Sequence, residues 1–407
     1  VSDRLKGVPL YFSDSPNLDG LGRVRMSESR SIFDMTFQYT IAPNDWNYTA
    51  AGAATVTHAA PRPDVKLSTT AANGDSAIFQ TYRYFHYQPG KCQLVTLSGN
   101  FGTGLKTGSR RRWGQFDANN GLFFEFDGAT LNAVVRSNVT GTPVENRVAQ
   151  ASWNLDKLDG NGPSGITLDV TKQQIWFIEY TWFSIGAAAF GVRIGRKTIY
   201  VHVFEHGNSI ATPYSQTATL PIRIENTNTA ATSGASDLFL TCASIISEGD
   251  YNPEGELRSV DTGIASKTLT TTGVRVPLIS LRKTSTKIRV PVVLATISPF
   301  IQTADDILFE IIKNPTLTGA VWAGPISSVE YDLTATALTG GTKIHSFYMS
   351  AQANGISSAD VNVDVFRSLD AWLGADIAGT SNILTLSATS LTAGAQVLAT
   401  ATWKEFE

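Results

Sequence analysis

Residues 112–138 read RWGQFDANNGLFFEFDGATLNAVVRSN. Two hairpin signals follow one another in this stretch. Asn119-Asn120-Gly121 separates RWGQF from LFFEF, and Asp127-Gly128 separates LFFEF from TLNAVVRS. Asn-Gly and Asp-Gly adopt the φ > 0 conformations of tight two-residue turns. Side chains alternate along a strand, so Leu122, Phe124 and Phe126 share one face and Phe123 and Glu125 the other. The expected result is a three-strand antiparallel meander with an aromatic interior.

The same pattern extends outward in both directions. AIFQTYRYFHYQ (77–88) and KCQLVTLSG precede the meander; PVENRVAQ, QQIWFIEYTWF, AFGVRIG, KTIYVHVFEH, TLPIRIENT and SDLFLTCASIIS follow it. Short alternating runs with turn residues between them indicate a sandwich or barrel. IWFIEYTWF is apolar on both faces, as for a strand inside a covered sheet. A polar Gly/Pro stretch at Glu248–Gly263 marks a boundary. Beyond it, VPLISLR, KIRVPVVLATIS, DILFEIIKN, SSVEYDLTA, KIHSFYMSAQ and QVLATATWKEF read as a second set of strands. DILFEIIKN is taken as strand because of its β-branched content and the following Asn314-Pro315. DAWLG (370–374) reads as one helical turn.

The expected architecture is therefore all-β, with two jelly-roll-like β-sandwich domains and an extended N-terminal arm. Residues 1–76 are assigned to the arm and long loops, 77–248 to the first sandwich and 249–407 to the second. Within the arm, Leu10, Tyr11 and Phe12 are apolar groups with no periodicity of their own, which suits a segment lying along another surface.

With 407 residues, more than one core is expected. Charged residues make up 16%, below the ordinary average of about 25%. The net charge of -3 argues against nucleic acid as a main ligand. No uncharged run is long enough to cross a bilayer as a helix, and no basic–apolar–small leader opens the sequence, so neither a membrane anchor nor an ordinary signal peptide is expected. Cys92 and Cys242 lie in strand-like runs. They read as buried free thiols, with a disulfide between them left open.

Candidate chemistry is sparse. His202-Val203-Phe204-Glu205-His206 matches a zinc-peptidase string, H-x-x-E-H, that works on a helix. On a strand the two histidines would stand about 13 Å apart, too far to share one metal. Asp117–Gly121 and Leu155–Gly165 carry oxygen donors but lack calcium-loop spacing, and read as turns. Glu125, Asp127, Glu179 and Glu205 could line a cleft, though no local signal selects them. Arg110-Arg111-Arg112 beside Trp113 is the one basic run. It is read as a contact with carboxylates of a neighbouring subunit, or as a solvated loop, rather than a nucleic-acid site. No catalytic residue, metal or cofactor is expected.

Several stretches resemble virion structural proteins of tailed bacteriophages, particularly of aquatic hosts. These are NLDGLGRVRMSESRSIFD (17–34), YRYFHYQPGKCQLVTLSGNFG (82–102), GLFFEFDGATLNAVVRSNVTG (121–141) and VAQASWNLDKLDGNGPSGITLDVTKQQIWFIEYTW (148–182). RSVDTG, NPTLTGAVW, SSVEYDLTATALTGGT and the closing Trp403-Lys404-Glu405 extend the likeness over nearly the whole chain. The resemblance implies a non-enzymatic subunit on the tail, baseplate or head surface. Its partners would be copies of itself and other virion proteins, with a host-surface glycan as a further partner. It would be made in the host cytoplasm and end in the virion. The reading from another class is a secreted carbohydrate-binding module or glycan-active enzyme on a β-sandwich.

Overall fold

The computed structural model describes residues 27–102, 106–351, 357–358 and 371–406. Leu10, Tyr11 and Phe12 lie outside the described residues. The protein is all-β; the one named helical element among the described residues is a 3-10 turn at Gln150–Ser152.

The meander forms as expected. Strands Ser109–Phe116, Gly121–Phe126 and Leu131–Ser137 pair antiparallel in sequence order. Leu122, Phe124 and Phe126 enter the main core, and Phe123 faces the other way. The connections differ from the expected two-residue turns. Each is a four-residue loop opened by an aspartate. Asp117 Oδ1 accepts the N–H groups of Asn119 and Asn120, and Asp127 Oδ1 those of Ala129 and Thr130. A short acidic side chain thus satisfies the loop's own backbone donors. Gly128 still needs its positive φ of 86°.

The meander sits in a seven-stranded antiparallel sheet. Its order is Val144–Ala149, Leu131–Ser137, Gly121–Phe126, Ser109–Phe116, Ile222–Asn228, Ser76–Thr81, Trp46–Ala51. The facing eight-stranded sheet runs Lys197–Phe204, Ala188–Ile194, Gln174–Tyr180, Cys92–Asn100, Ser236–Glu248, Val65–Thr69, Thr55–His58. Arg30–Thr36 pairs with the far half of Ser236–Glu248. Between the sheets lies an aromatic core that includes Trp46, Trp113, Trp176, Phe79, Phe101 and Phe124.

Residues 30–69 therefore correct the expectation of loops there. Arg30–Thr36, Trp46–Ala51, Thr55–His58 and Val65–Thr69 are strands of the first sandwich. Alternation is present (Val65 and Leu67 are fully buried), but each strand is short, and Trp46–Ala51 and Thr55–His58 bury only one residue each.

From Glu256 onward the strands build two further six-stranded sheets around a separate core. One contains Glu256–Asp261, Ala395–Glu405 and Val292–Ile301. The other contains Arg275–Lys283, Ile383–Ser390, Asp305–Lys313 and Thr342–Ala351. DILFEIIKN is a strand, as read. In DAWLG, Asp370 lies outside the described residues and Ala371 is in 3-10 conformation, but Trp372–Leu373 corrects the expectation: it is a strand that pairs with Val292 and Val293.

The two sandwiches are fastened to each other. Ala375 N–H donates to Tyr82 O at 2.8 Å, Lys313 Nζ to Asn44 O at 3.0 Å and Arg289 Nε to Asp117 Oδ2 at 2.8 Å. Residues 82–88, expected as strand, leave the sheet after Thr81 to make this junction.

Candidate functional site

Arg110, Arg111, Arg112 and Trp113 do not form an exposed patch. Strand alternation sends Arg111 and Trp113 inward, both fully buried. The Arg111 guanidinium donates to Phe101 O and lies 4.8 Å from the Phe126 ring centroid. Arg112, 8% exposed, faces the outer side of the seven-stranded sheet and is already paired. It donates to Glu125 at 2.6 Å and to Glu225 at 3.1 Å, both within the same chain. The reading as a contact for a neighbour's carboxylates is thus corrected for Arg111, Arg112 and Trp113: local pairs and the core use them. Arg110 is half-exposed.

Arg112 belongs to a ladder of charges across five strands. Gln80 accepts from Arg223, Arg223 pairs with Glu225, Arg112 bridges Glu225 and Glu125, and Arg147 bridges Glu125 and Glu145. Arg136 closes the ladder on Glu145. Burial pushes the Glu225 carboxyl up, and Arg223, Arg112 and Arg136 outweigh it, leaving it below the usual carboxylate value. Such a carboxylate is held ionised and is unsuited to donate a proton near neutral pH.

The histidine string lies on strand Lys197–Phe204 and the turn after it. His206 Nδ1 faces Gly186 O at 2.8 Å and its ring stacks on Tyr214 at 4.2 Å. His202 Nδ1 accepts the Asn154 N–H, and burial lowers its pKa. Among the described residues, no group of three or more His, Cys, Asp or Glu is placed to hold a metal. Asp156 accepts from the backbone N–H groups of Leu158 and Ser164, as a turn residue does. Cys92 and Cys242 are free thiols. Burial and the neighbouring Glu179 push Cys92 up to about 12.

Sequence reasoning did not select the cleft at the junction of the two sandwiches. A cleft of about 600 Å³ opens where the two sandwiches meet. The first sandwich supplies His86, Tyr87 and Trp182; the linker supplies Pro253 and Glu254; the second sandwich supplies Arg289, Pro291 and Phe406. Each wall has a local cause. Trp182 follows the end of strand Gln174–Tyr180, in a loop closed by Gly186 N–H donating to Trp182 O at 2.8 Å. Two consecutive non-glycine residues of that loop, Phe183 and Ser184, have φ of 34° and 64°. Backbone in this region is strained and persists only where its surroundings hold it. Trp182 Nε1 donates to Ser215 O at 3.3 Å, and its ring meets Tyr87 edge-on at 6.2 Å.

On the opposite wall Phe406 stacks against Trp372 at 5.5 Å and approaches His86 at 5.9 Å. The Arg83 guanidinium lies 3.8 Å from the Trp372 ring centroid, a cation–π contact that locks the wall in place. Burial lowers the Arg83 pKa to about 10 and the His86 pKa below its usual value. Arg289 is oriented by Asp117, the first residue of the meander's first loop. The linker is held too: Asn252 N–H donates to Gln88 Oε1 at 3.1 Å and Tyr251 OH to His86 O at 3.3 Å.

The only local hint in the sequence was the aromatic excess of IWFIEYTWF. It ran past the strand end at Tyr180, and the surplus Trp182 and Phe183 belong to the cleft loop. The other walls come from distant parts of the sequence, before and after this strand, which no local pattern joins.

No family model matches the chain, and no curated protein matches it. Among solved structures it is similar to a β-1,3-glucanase from Mycobacterium marinum (11% identity, TM-score 0.36, covering 53% of this chain and 98% of that one). It is also similar to a family 16 glycosyl hydrolase from Mycobacterium smegmatis (11%, 0.35, 53% and 100%). A further similar structure is the CBM2 module of the evolved Dit of Lactobacillus casei BL23 phage J-1 (11%, 0.37, 56% and 99%). Likeness at this level carries no functional argument.

Proposed function

We propose that the chain is a non-catalytic structural subunit of a tailed-phage particle that contacts a host-surface glycan through the cleft between its two sandwiches. The observation that carries the glycan part is the cleft's make-up. The half-exposed rings of Trp182 and His86 face the cleft over the buried Tyr87 and Phe406, and Arg289, Glu254 and Gln88 offer polar groups at the rim. Sugars present apolar C–H faces flanked by hydroxyls, and this mixture complements both. The volume suits a short oligosaccharide, since ligand sites run to about 300–1,000 Å³.

Binding is favoured over cleavage because glycoside hydrolysis needs two carboxyl groups flanking the bond. Among the described lining residues Glu254 is the one carboxylate. The particle setting rests on the sequence resemblance, with residues 1–30 as the segment that contacts a neighbouring subunit. The same cleft would serve a secreted carbohydrate-binding module; locating the chain in an image of the intact particle separates the two settings.

The test is a glycan array probed with the intact protein and with Trp182→Ala and Phe406→Ala. Saturable binding to host polysaccharide that both variants weaken supports the proposal. Binding unchanged in both variants removes the cleft from it. Truncation of residues 1–22 should leave the fold intact and reduce incorporation into particles.

A further inference from the structure

The outer face of the eight-stranded sheet carries a second hollow, sharing no lining residue with the junction cleft. Three strands set its floor. Phe177, Gly191 and Tyr200 lie directly opposite one another across Gln174–Tyr180, Ala188–Ile194 and Lys197–Phe204. Gly191 is what makes the row work: a Cβ there would collide with the Phe177 ring. Without it, Phe177 extends over the middle strand and meets Tyr200 edge-on at 5.1 Å. Phe177 is buried under this contact, while Tyr200 stays 40% exposed as the upper surface.

Polar groups flank the ring. The Tyr200 hydroxyl donates to Glu179, and burial together with that carboxylate pushes the hydroxyl up to about 12, so it stays protonated. Arg193 Nε donates to Thr198 Oγ1 at 3.2 Å one row along. Ile175, 39% exposed, adds an apolar step beside Arg193.

The hollow, about 220 Å³, is not closed. Ile175 and Arg193 also line a shallower depression of about 670 Å³ that continues past Ser98 and Thr241 to Arg62 and Asp64. From the Tyr200 strand to the strand following Asp64 the path crosses five strand spacings, about 24 Å.

We propose that this channel binds an extended, uncharged glycan chain laid across the strands. Its open ends admit a polymer rather than a single sugar. Its charges are mixed, with Glu179, Glu248 and Asp64 against Arg193 and Arg62, which suits a neutral ligand whose hydroxyls both donate and accept. The exposed Tyr200 ring and Ile175 supply the apolar surface for sugar C–H faces. A peptide would instead seek an open sheet edge for its backbone hydrogen bonds; at the edge strand Lys197–Phe204, Leu155 and Asp156 already donate to Val201 O and Asn154 pairs with the Val203 backbone.

The experiment is calorimetric titration of the full chain with cellohexaose, laminarihexaose, chitohexaose and maltohexaose. Wild type is compared with Tyr200→Ala, Arg193→Ala and Trp182→Ala. At least one hexasaccharide should bind saturably, and Tyr200→Ala should weaken it by about tenfold or more. Arg193→Ala, at an exposed side chain, should weaken it too without disturbing the fold, which covers a Tyr200→Ala chain that fails to fold. Tyr200→Ala and Arg193→Ala are also compared in a Trp182→Ala background, where any sugar bound in the junction cleft is removed and the channel's remains. No saturable binding to any of the four overturns the proposal. So does binding that Tyr200→Ala and Arg193→Ala leave within about twofold of wild type. Binding lost in Trp182→Ala but untouched by Tyr200→Ala and Arg193→Ala would place the sugar in the junction cleft alone and overturn the proposal; failure of the cleft reading would show separately, as array binding that Trp182→Ala and Phe406→Ala leave unchanged.

Discussion

Arg112 and Glu125 stand directly opposite each other on neighbouring strands, joined at 2.6 Å, with the Glu125 side chain 1% exposed. The same guanidinium reaches Glu225 on its other side at 3.1 Å. Removing it leaves two buried carboxylates short of their shared partner. Breaking one side of a buried pair costs about 3–5 kcal/mol. Arg112→Met should therefore lower the urea midpoint of unfolding sharply, whereas a variant of the exposed Arg196 should not.

Glu225 sets an acid limit. Its folded pKa is depressed below the ordinary 4.5, because the arginines around it outweigh its burial. Its contribution is fully present above that value and is lost as pH falls from 4.5 through the folded pKa. Denaturant midpoints measured between pH 6 and 3 should fall with a slope that Glu225→Gln reduces. An unchanged slope in the variant would show that Glu225 is not stabilised by the ladder.

Lys283 acts in the opposite range. Burial lowers its pKa to about 7, while its Nζ reaches Ile288 O and Val290 O. The unfolded chain then binds more protons between about 7 and 10.5, so this group adds stability as pH rises through that window. The gain is at most about 1.4 kcal/mol per pH unit. Lys283→Met should flatten the rise of unfolding free energy between pH 7 and 10; equal slopes in the two proteins would contradict the assignment.

Gly128 has φ of 86°, and a side chain there would collide with Lys106 O. Gly128→Val should cost on the order of 1–3 kcal/mol from backbone strain alone. Thermal melting against wild type reads this directly, and an equal melting temperature would contradict the turn geometry.

The sheet positions of the meander were legible because alternation and turn residues coincide over residues 112–138. The same rule misled at residues 77–88, where alternation continues past Thr81 but the chain leaves the sheet to meet Gly374 and Ala375 of the second sandwich. It failed at 46–58, where strands WNYTAA and TVTH carry only one buried residue each among Thr and Ala, and at 65–69, where the alternation of Val65 and Leu67 is only five residues long. Arg110–Trp113 drew attention as a basic run, yet period-2 geometry places its members on opposite sides of one strand. The junction cleft was not legible, since Tyr87, Trp182, Arg289 and Phe406 meet only after both sandwiches have docked. Gly191 gave no signal either: its meaning depends on Phe177 and Tyr200 lying on the two strands beside it.

The central claim is that the junction cleft holds sugar. The most direct measurement is a structure of the protein soaked with the oligosaccharide that binds best on the array. The expected result is density between Trp182 and Phe406, with sugar hydroxyls within hydrogen-bonding distance of Arg289 or Glu254. An empty cleft at saturating ligand, with Trp182 and Phe406 unshifted, would contradict it.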